Sequence, residues 1–211
     1  MRTPVLFAIC LSCVVSSAIL CTAQLPPRSP VQKKPATAAP SRSMRKASEL
    51  IRKQEPVKVN QALLKDCTPD NVHIIVSIPK QRAYLMLNDQ IVIDEPISSG
   101  KRGHGTPTGH FSVLEKDPDY RSSIYGDFVD GRGRVVRAGI SARIDVAPSG
   151  THYVGASMKW FLRLTGDGVG MHIGILPGYP ASHGCIRESP EGAKLFYDHV
   201  KVGTPVDVGD F

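Results

Sequence analysis

His172-Ile173-Gly174-Ile175-Leu176-Pro177-Gly178-Tyr179-Pro180-Ala181-Ser182-His183-Gly184-Cys185-Ile186-Arg187 holds a cysteine, two histidines, a serine and an arginine, punctuated by glycines and prolines. A packed strand or helix does not concentrate so many special residues in so short a run. Glycine and proline fix sharp backbone turns. A rigid turn that presents a thiol beside imidazoles is what a cysteine nucleophile requires. The thiolate is the attacking species, and a free cysteine, with a pKa of about 8.5, is mostly protonated at neutral pH. A neighbouring imidazole takes the proton or stabilises the anion.

Three readings of His172, His183 and Cys185 compete: a cysteine acyltransferase, a zinc site, and a buried thiol with incidental histidines. A tetrahedral zinc site needs a fourth ligand, which the neighbouring sequence does not offer, so no metal is expected. The order of the residues, histidine before cysteine, differs from that of papain-like peptidases. Sortases share the order but use a longer separation and a different cysteine context.

The stretch resembles the signature of the L,D-transpeptidase catalytic-domain family, in which a histidine and a variable loop precede Ser-His-Gly-Cys-(Ile/Val)-Arg. The matching residues are His172 and the run Ser182, His183, Gly184, Cys185, Ile186 and Arg187. Thr106-Pro107-Thr108-Gly109-His110-Phe111 resembles a second element of that family, read here as a turn supporting the site. The similarity extends from the strand at Asn71 to the last strand.

The resemblance implies that Cys185 is the nucleophile and His172 its general base, with His183 shaping the loop or assisting. Backbone N–H groups at Gly184 and Cys185 would supply an oxyanion hole. Ser182, Gly184 and Arg187 are expected at the substrate. Arg187 either clamps a substrate carboxylate or braces the loop through a buried acid. The family's reaction is peptidoglycan 3–3 cross-linking between tetrapeptide stems, through a thioacyl-enzyme and with no cofactor. Water as acceptor would make a carboxypeptidase, and a protein lysine would make a wall anchor. A non-catalytic envelope-binding module is the competing class. The chain departs from the family at Ile173, where glycine usually follows the histidine, and at Glu188, where a hydrophobic residue usually follows the arginine. Both departures are expected at the substrate-facing rim.

The N-terminus reads as a secretory signal over residues 1–23. Arg2 is followed by an apolar run from Pro4 to Leu20, and Cys21-Thr22-Ala23 ends in small residues. An uncleaved anchor and a lipoprotein are the alternatives. Removal of the signal leaves Cys67 and Cys185, which either pair or leave Cys67 as a bland thiol. Residues 24–70 form a basic linker rich in Pro, Ala, Ser and Lys near its start, with short helices expected over 43–53 and 59–65.

The net charge of +7 sits in this tail. Residues 24–58 carry nine Lys or Arg against Glu49 and Glu55, while residues 59–211 carry sixteen against seventeen acids. A neutral domain gives nucleic acid no basic face to bind. The tail either meets an anionic envelope surface or is a solvated linker. The resulting expectation is an exported monomer of the periplasm or cell envelope whose partners are peptidoglycan stems.

From residue 71 to 211 the texture is of short strands and turns. Val72–Ile78, Arg82–Leu87 and Gln90–Asp94 read as consecutive strands, the last two joined at an Asn88-Asp89 turn. Asp117 to Val129 reads as a loop that either caps the cleft, near whose mouth the resemblance places an insertion, or lies on the surface with two packed aromatics. Phe111–Leu114, Trp160–Leu164 and Val206–Val208 read as strands. Ser189-Pro190-Glu191 opens a helix with a serine cap, a proline in the first turn and an acid beside it. The expected fold is mostly β, a sandwich or open barrel with one or two small helices, as the resemblance also implies.

Overall fold

The computed structural model describes residues 55–211. The signal, the linker up to residue 54 and the helix expected over 43–53 lie outside the described residues.

The described residues open with β1 (Lys58–Val59) and a one-turn helix α1 (Gln61–Leu64), followed by β2 (Val72–Ser77), β3 (Arg82–Leu87) and β4 (Gln90–Ser98). Then come β5 (Gly109–Ser112), β6 (Glu115–Asp117), β7 (Arg121–Asp130), β8 (Val135–Ser141) and β9 (Thr151–Ser157). The last elements are β10 (Phe161–Arg163), β11 (Gly170–Ile173), β12 (Ile186–Glu188), α2 (Pro190–His199) and β13 (Pro205–Gly209). The fold is mostly β, as expected, with two small helices among the described residues.

The strands form one large sheet in the order β5-β13-β2-β3-β4-β12-β11-β10-β6, with β1 added alongside β4, and a separate sheet β8-β7-β9. β4 is the hinge of the large sheet. Its first part pairs with β3, and its end pairs with β12 through Ile97 opposite Glu188 and Ser98 opposite Arg187. β3 runs along one edge of this nine-residue strand, and the opposite edge serves β1 at Ile93 and Asp94 and then β12 at Ile97 and Ser98.

Alternation decides the core. Ile74 and Val76 of β2, Ala83 and Leu85 of β3, Ile93 of β4, Leu162 of β10, Met171 of β11, Ile186 of β12 and Val206 of β13 are all fully buried. Phe196 of α2 completes that layer. Each of these side chains except that of Ala83 contributes about 1.5–3 kcal/mol on burial. Ser189 caps α2, its Oγ accepting the Gly192 N–H at 2.9 Å, with Pro190 in the first turn.

Two expectations are corrected. The linker does not run to residue 70. Lys58 and Val59 pair with Asp94 and Ile93, and Val57, Val59, Leu63, Leu64 and Cys67 pack on the core. The folded body therefore begins upstream of residue 71, because these apolar side chains cover the open side of β4. Asp117 to Val129 is not a loop but mainly β7, the middle strand of the small sheet. Its sequence reads as polar because this sheet is largely half-exposed, so alternation against a dry core is weak there.

Candidate active site

β11 and β12 lie side by side and parallel, with Met171 opposite Ile186, His172 opposite Arg187 and Ile173 opposite Glu188. Parallel neighbours need a long return connection. Residues 174–185 supply it without a helix, which explains the density of glycine and proline. The loop is pinned from the end of β4. The Ser99 carbonyl accepts the N–H groups of Ala181 and Ser182 at 2.9 and 3.0 Å, and the Lys101 N–H donates to the Ser182 carbonyl at 3.0 Å. The Ser98 hydroxyl donates to the Tyr179 carbonyl at 2.8 Å. Gln81 holds Ser99 in turn, accepting its N–H at 3.0 Å and donating to its Oγ at 2.8 Å.

Thr106 closes the loop from the other side. Its hydroxyl donates to the Gly184 carbonyl at 2.8 Å and accepts the Gly100 N–H at 2.8 Å. The Thr106 side chain thus braces the cysteine loop. Gly184 has φ of +123°, a conformation that favours glycine. Ser182 is buried. Its hydroxyl donates to the Cys185 carbonyl and accepts the Gly184 N–H, the latter at 3.1 Å. The hydrogen bonds of Ser182 therefore serve the loop itself.

Cys185, His172, His183, Ser182 and Arg187 all line one cavity of about 620 Å³. Gly184 is buried behind it. The small sheet forms a wall of the cavity through Ser122, Ile124, Tyr125 and Ser157. The cavity also collects Arg143, Arg163 and Asp167, which the sequence reading did not single out. Only their position in space marks them.

His172 Nδ1 lies 2.7 Å from the Ile173 carbonyl oxygen. A carbonyl only accepts, so the ring proton sits on Nδ1 and Nε2 is left as an acceptor. Burial drives the His172 pKa down to about 4, with the Arg187 charge adding to the effect. The ring is neutral above that pH. Burial raises the Cys185 pKa, against the opposing influences of the Gly170 N–H and the Arg187 charge. The Cys185 thiol faces the Gly168 carbonyl at 3.7 Å. The resting site therefore holds a neutral thiol and a neutral imidazole.

His183 is exposed and differently committed. Its Nε2 lies 2.9 Å from the Lys101 ammonium, which can only donate. Its ring stacks on Tyr125 of β7 at 4.6 Å and meets His104 edge-on at 4.9 Å. Burial, Lys101, His104 and Arg187 all push its pKa down.

Arg187 is half-buried, and its stem packs on Gly174, where a Cβ would come within 2.6 Å of the arginine Cγ. Among the described residues no carboxylate forms an ion pair with it. Glu188 does not reach the rim, contrary to expectation. It is fully buried on β12 beside the equally buried Glu95 of β4, because alternation turns it away from Arg187 and the cavity. Ile173 does line the cavity. Cys67 is a free thiol, half-buried and donating to the Leu63 carbonyl at 3.4 Å, and Cys185 is free as well.

A thiol, two imidazoles and a guanidinium thus converge in one cleft of a mostly β fold. Residues 71–208 match the YkuD family, the L,D-transpeptidase catalytic domain, and the chain belongs to that family. Among solved structures it is similar to an L,D-transpeptidase from Mycobacterium smegmatis, at 25% identity over 65% of this chain and 58% of that one, with a TM-score of 0.48. It is also similar to L,D-transpeptidase 1 from Mycobacterium tuberculosis, at 25% identity over 65% of this chain and 61% of that one, with a TM-score of 0.46. L,D-transpeptidase 3 from M. tuberculosis, solved with a faropenem-derived adduct, matches at 23% identity over 66% and 60% of the two chains, with a TM-score of 0.48. This chain spans about three-fifths of the length of these proteins. No curated protein matches.

Proposed function

We propose that this protein is an exported L,D-transpeptidase that forms 3–3 cross-links between peptidoglycan stem peptides through a Cys185 thioacyl-enzyme. The observation that carries the reading is the Nδ1 contact of His172 with the Ile173 carbonyl, which leaves Nε2 as the acceptor in the cavity that Cys185 lines. His183 is the weaker candidate for base, since its Nε2 already accepts from Lys101.

In this reading His172 Nε2 takes the Cys185 proton as sulfur attacks the carbonyl at the L-centre of the stem's third residue. The tetrahedral oxyanion is met by the Cys185 N–H, because the Gly184 N–H is engaged by Ser182. The imidazolium returns its proton to the leaving D-Ala amine, and a thioester remains. The side-chain amine of a second stem then attacks the thioester. His172 accepts the amine proton and passes it to the departing sulfur, which restores the thiol. Arg187, with no carboxylate partner among the described residues, binds a stem carboxylate. Ser182 and Gly184 shape the loop rather than touch substrate.

The test incubates the full chain and Cys185→Ala with a synthetic disaccharide-tetrapeptide and reads intact masses. A cysteine-dependent loss of D-Ala with a dimer product is the expected result. Loss of D-Ala without dimer moves the assignment to a carboxypeptidase. No turnover, together with Cys185 alkylating no faster than Cys67, overturns the enzyme reading.

A further inference from the structure

We propose that Glu95 and Glu188 share a proton and act together as positioning residues, clamping the strand that follows Cys185 to the first turn of α2. Both side chains are fully buried. They project from neighbouring strands, since Glu188 is the register partner of Ile97, two residues beyond Glu95 on the same face of β4. Diagonal neighbours on paired strands lie within reach of side chains as long as glutamate. As carboxylates they would leave Glu95 Oε1 and both Glu188 oxygens without a donor. Two adjacent buried anions are costly. A proton between them supplies the missing donor and removes one charge.

The pair is also built into the helix. Ser189 Oγ donates to Glu95 Oε2 at 3.3 Å while accepting the Gly192 N–H. Gly192 is glycine because the Glu95 carboxyl occupies the space of its side chain, with a Cβ there falling on the Glu95 oxygen. The path therefore runs from Glu188 on β12 through Glu95 and Ser189 to the first turn of α2. Glu188 lies three positions after Cys185, with Ile186 and Arg187 between them.

Charged neighbours leave the proton in place. Arg82 of β3 acts on Glu95 by its charge but is paired with Asp94 at 2.6 Å. Glu191 in the first turn of α2 is exposed and of the same sign as a carboxylate. On β12 and β11, Arg187 and His172 line the cavity instead. Burial raises both carboxyls, Glu95 to about 7 and Glu188 well above its ordinary range. The folded pKa values exceed the unfolded ones, so the pair's stabilisation is full below the ordinary carboxylate range and is lost in two steps, the first as pH rises through about 7 and the second, which removes the shared proton, above it.

The positioning role concerns the site under Proposed function, but its test does not depend on turnover. Carboxyl-labelled glutamate in the full chain is titrated by NMR, and Cys185 and Cys67 are alkylated with iodoacetamide from pH 5 to 9. Two glutamate signals should titrate far above the others and vanish in the Glu95→Gln/Glu188→Gln double variant. The Cys185-to-Cys67 alkylation ratio should change by about threefold or more across the pair's titration in the native protein, as local opening exposes the thiol. It should be flat in the double variant, whose amides keep a hydrogen bond but cannot ionise. All glutamates titrating in the ordinary range would overturn the shared proton. A ratio with the same pH dependence in native and variant protein would overturn the positioning role. If the double variant does not fold, Glu188→Gln alone replaces it, and the native titration stands by itself.

Discussion

The Thr106 hydroxyl bridges the Gly100 N–H and the Gly184 carbonyl, at 2.8 Å to each. One side chain thus joins the turn after β4 to the loop that carries Cys185. Thr106→Val keeps the shape and deletes the bridge, leaving both backbone groups without it. An unsatisfied buried group costs about 1–3 kcal/mol. Thermal unfolding should show a loss of that size, with Cys185 alkylated faster relative to Cys67. Thr106→Ser should restore most of both.

The His172 ring should set the acid limit of reactivity. With its pKa held near 4 by burial, the neutral base persists well below the ordinary histidine range. Single-turnover acylation of Cys185 by the tetrapeptide should therefore lose its acid limb near pH 4 rather than near 6.5. Stability moves in the same sense. The unfolded histidine binds a proton that the folded one refuses, so this contribution is lost as pH falls from about 6.5 through about 4. Urea midpoints across that range should flatten in His172→Gln.

Gly174 is a packing requirement. In Gly174→Ala the new methyl would meet the Cβ, Cγ and Cδ of Arg187 at 2.6 to 2.9 Å. The stem has to shift, at about 1–3 kcal/mol for overpacking. Steady-state kinetics should show a larger rise in KM than fall in kcat if the guanidinium binds a stem carboxylate.

Lys101 should depress His183 measurably. Removing its charge in Lys101→Met should raise the His183 pKa, read from the imidazole carbon shift by NMR. The rise should be partial, because burial is the larger cause and remains.

The strands from β2 to β4 were legible in the sequence because β-branched runs alternate against a dry core and meet at an Asn-Asp turn. Asn88 takes a φ of +51° there, as such a turn demands. The cap and proline of α2 were legible for the same local reason. β7 was not, since its half-exposed faces carry serine, tyrosine and aspartate and leave no hydrophobic period. The cluster from His172 to Arg187 could be read as a group because it is contiguous. Its supports could not. Gln81, Ser99, Lys101 and Thr106 are ordinary residues whose meaning comes from distant partners. Glu188 looked like a rim residue because its partner, Glu95, lies on a strand far earlier in the chain.

Those distant supports have a consequence for when the protein becomes competent. Thr106 and Gly184 are 78 residues apart, and Lys101 and His183 are 82 apart. Closing such spans is among the slower events of folding. Until it happens the cysteine segment has no defined geometry, and Cys185 is chemically an ordinary thiol. The geometry of the cysteine loop thus depends on contacts that form only once both distant segments are in place.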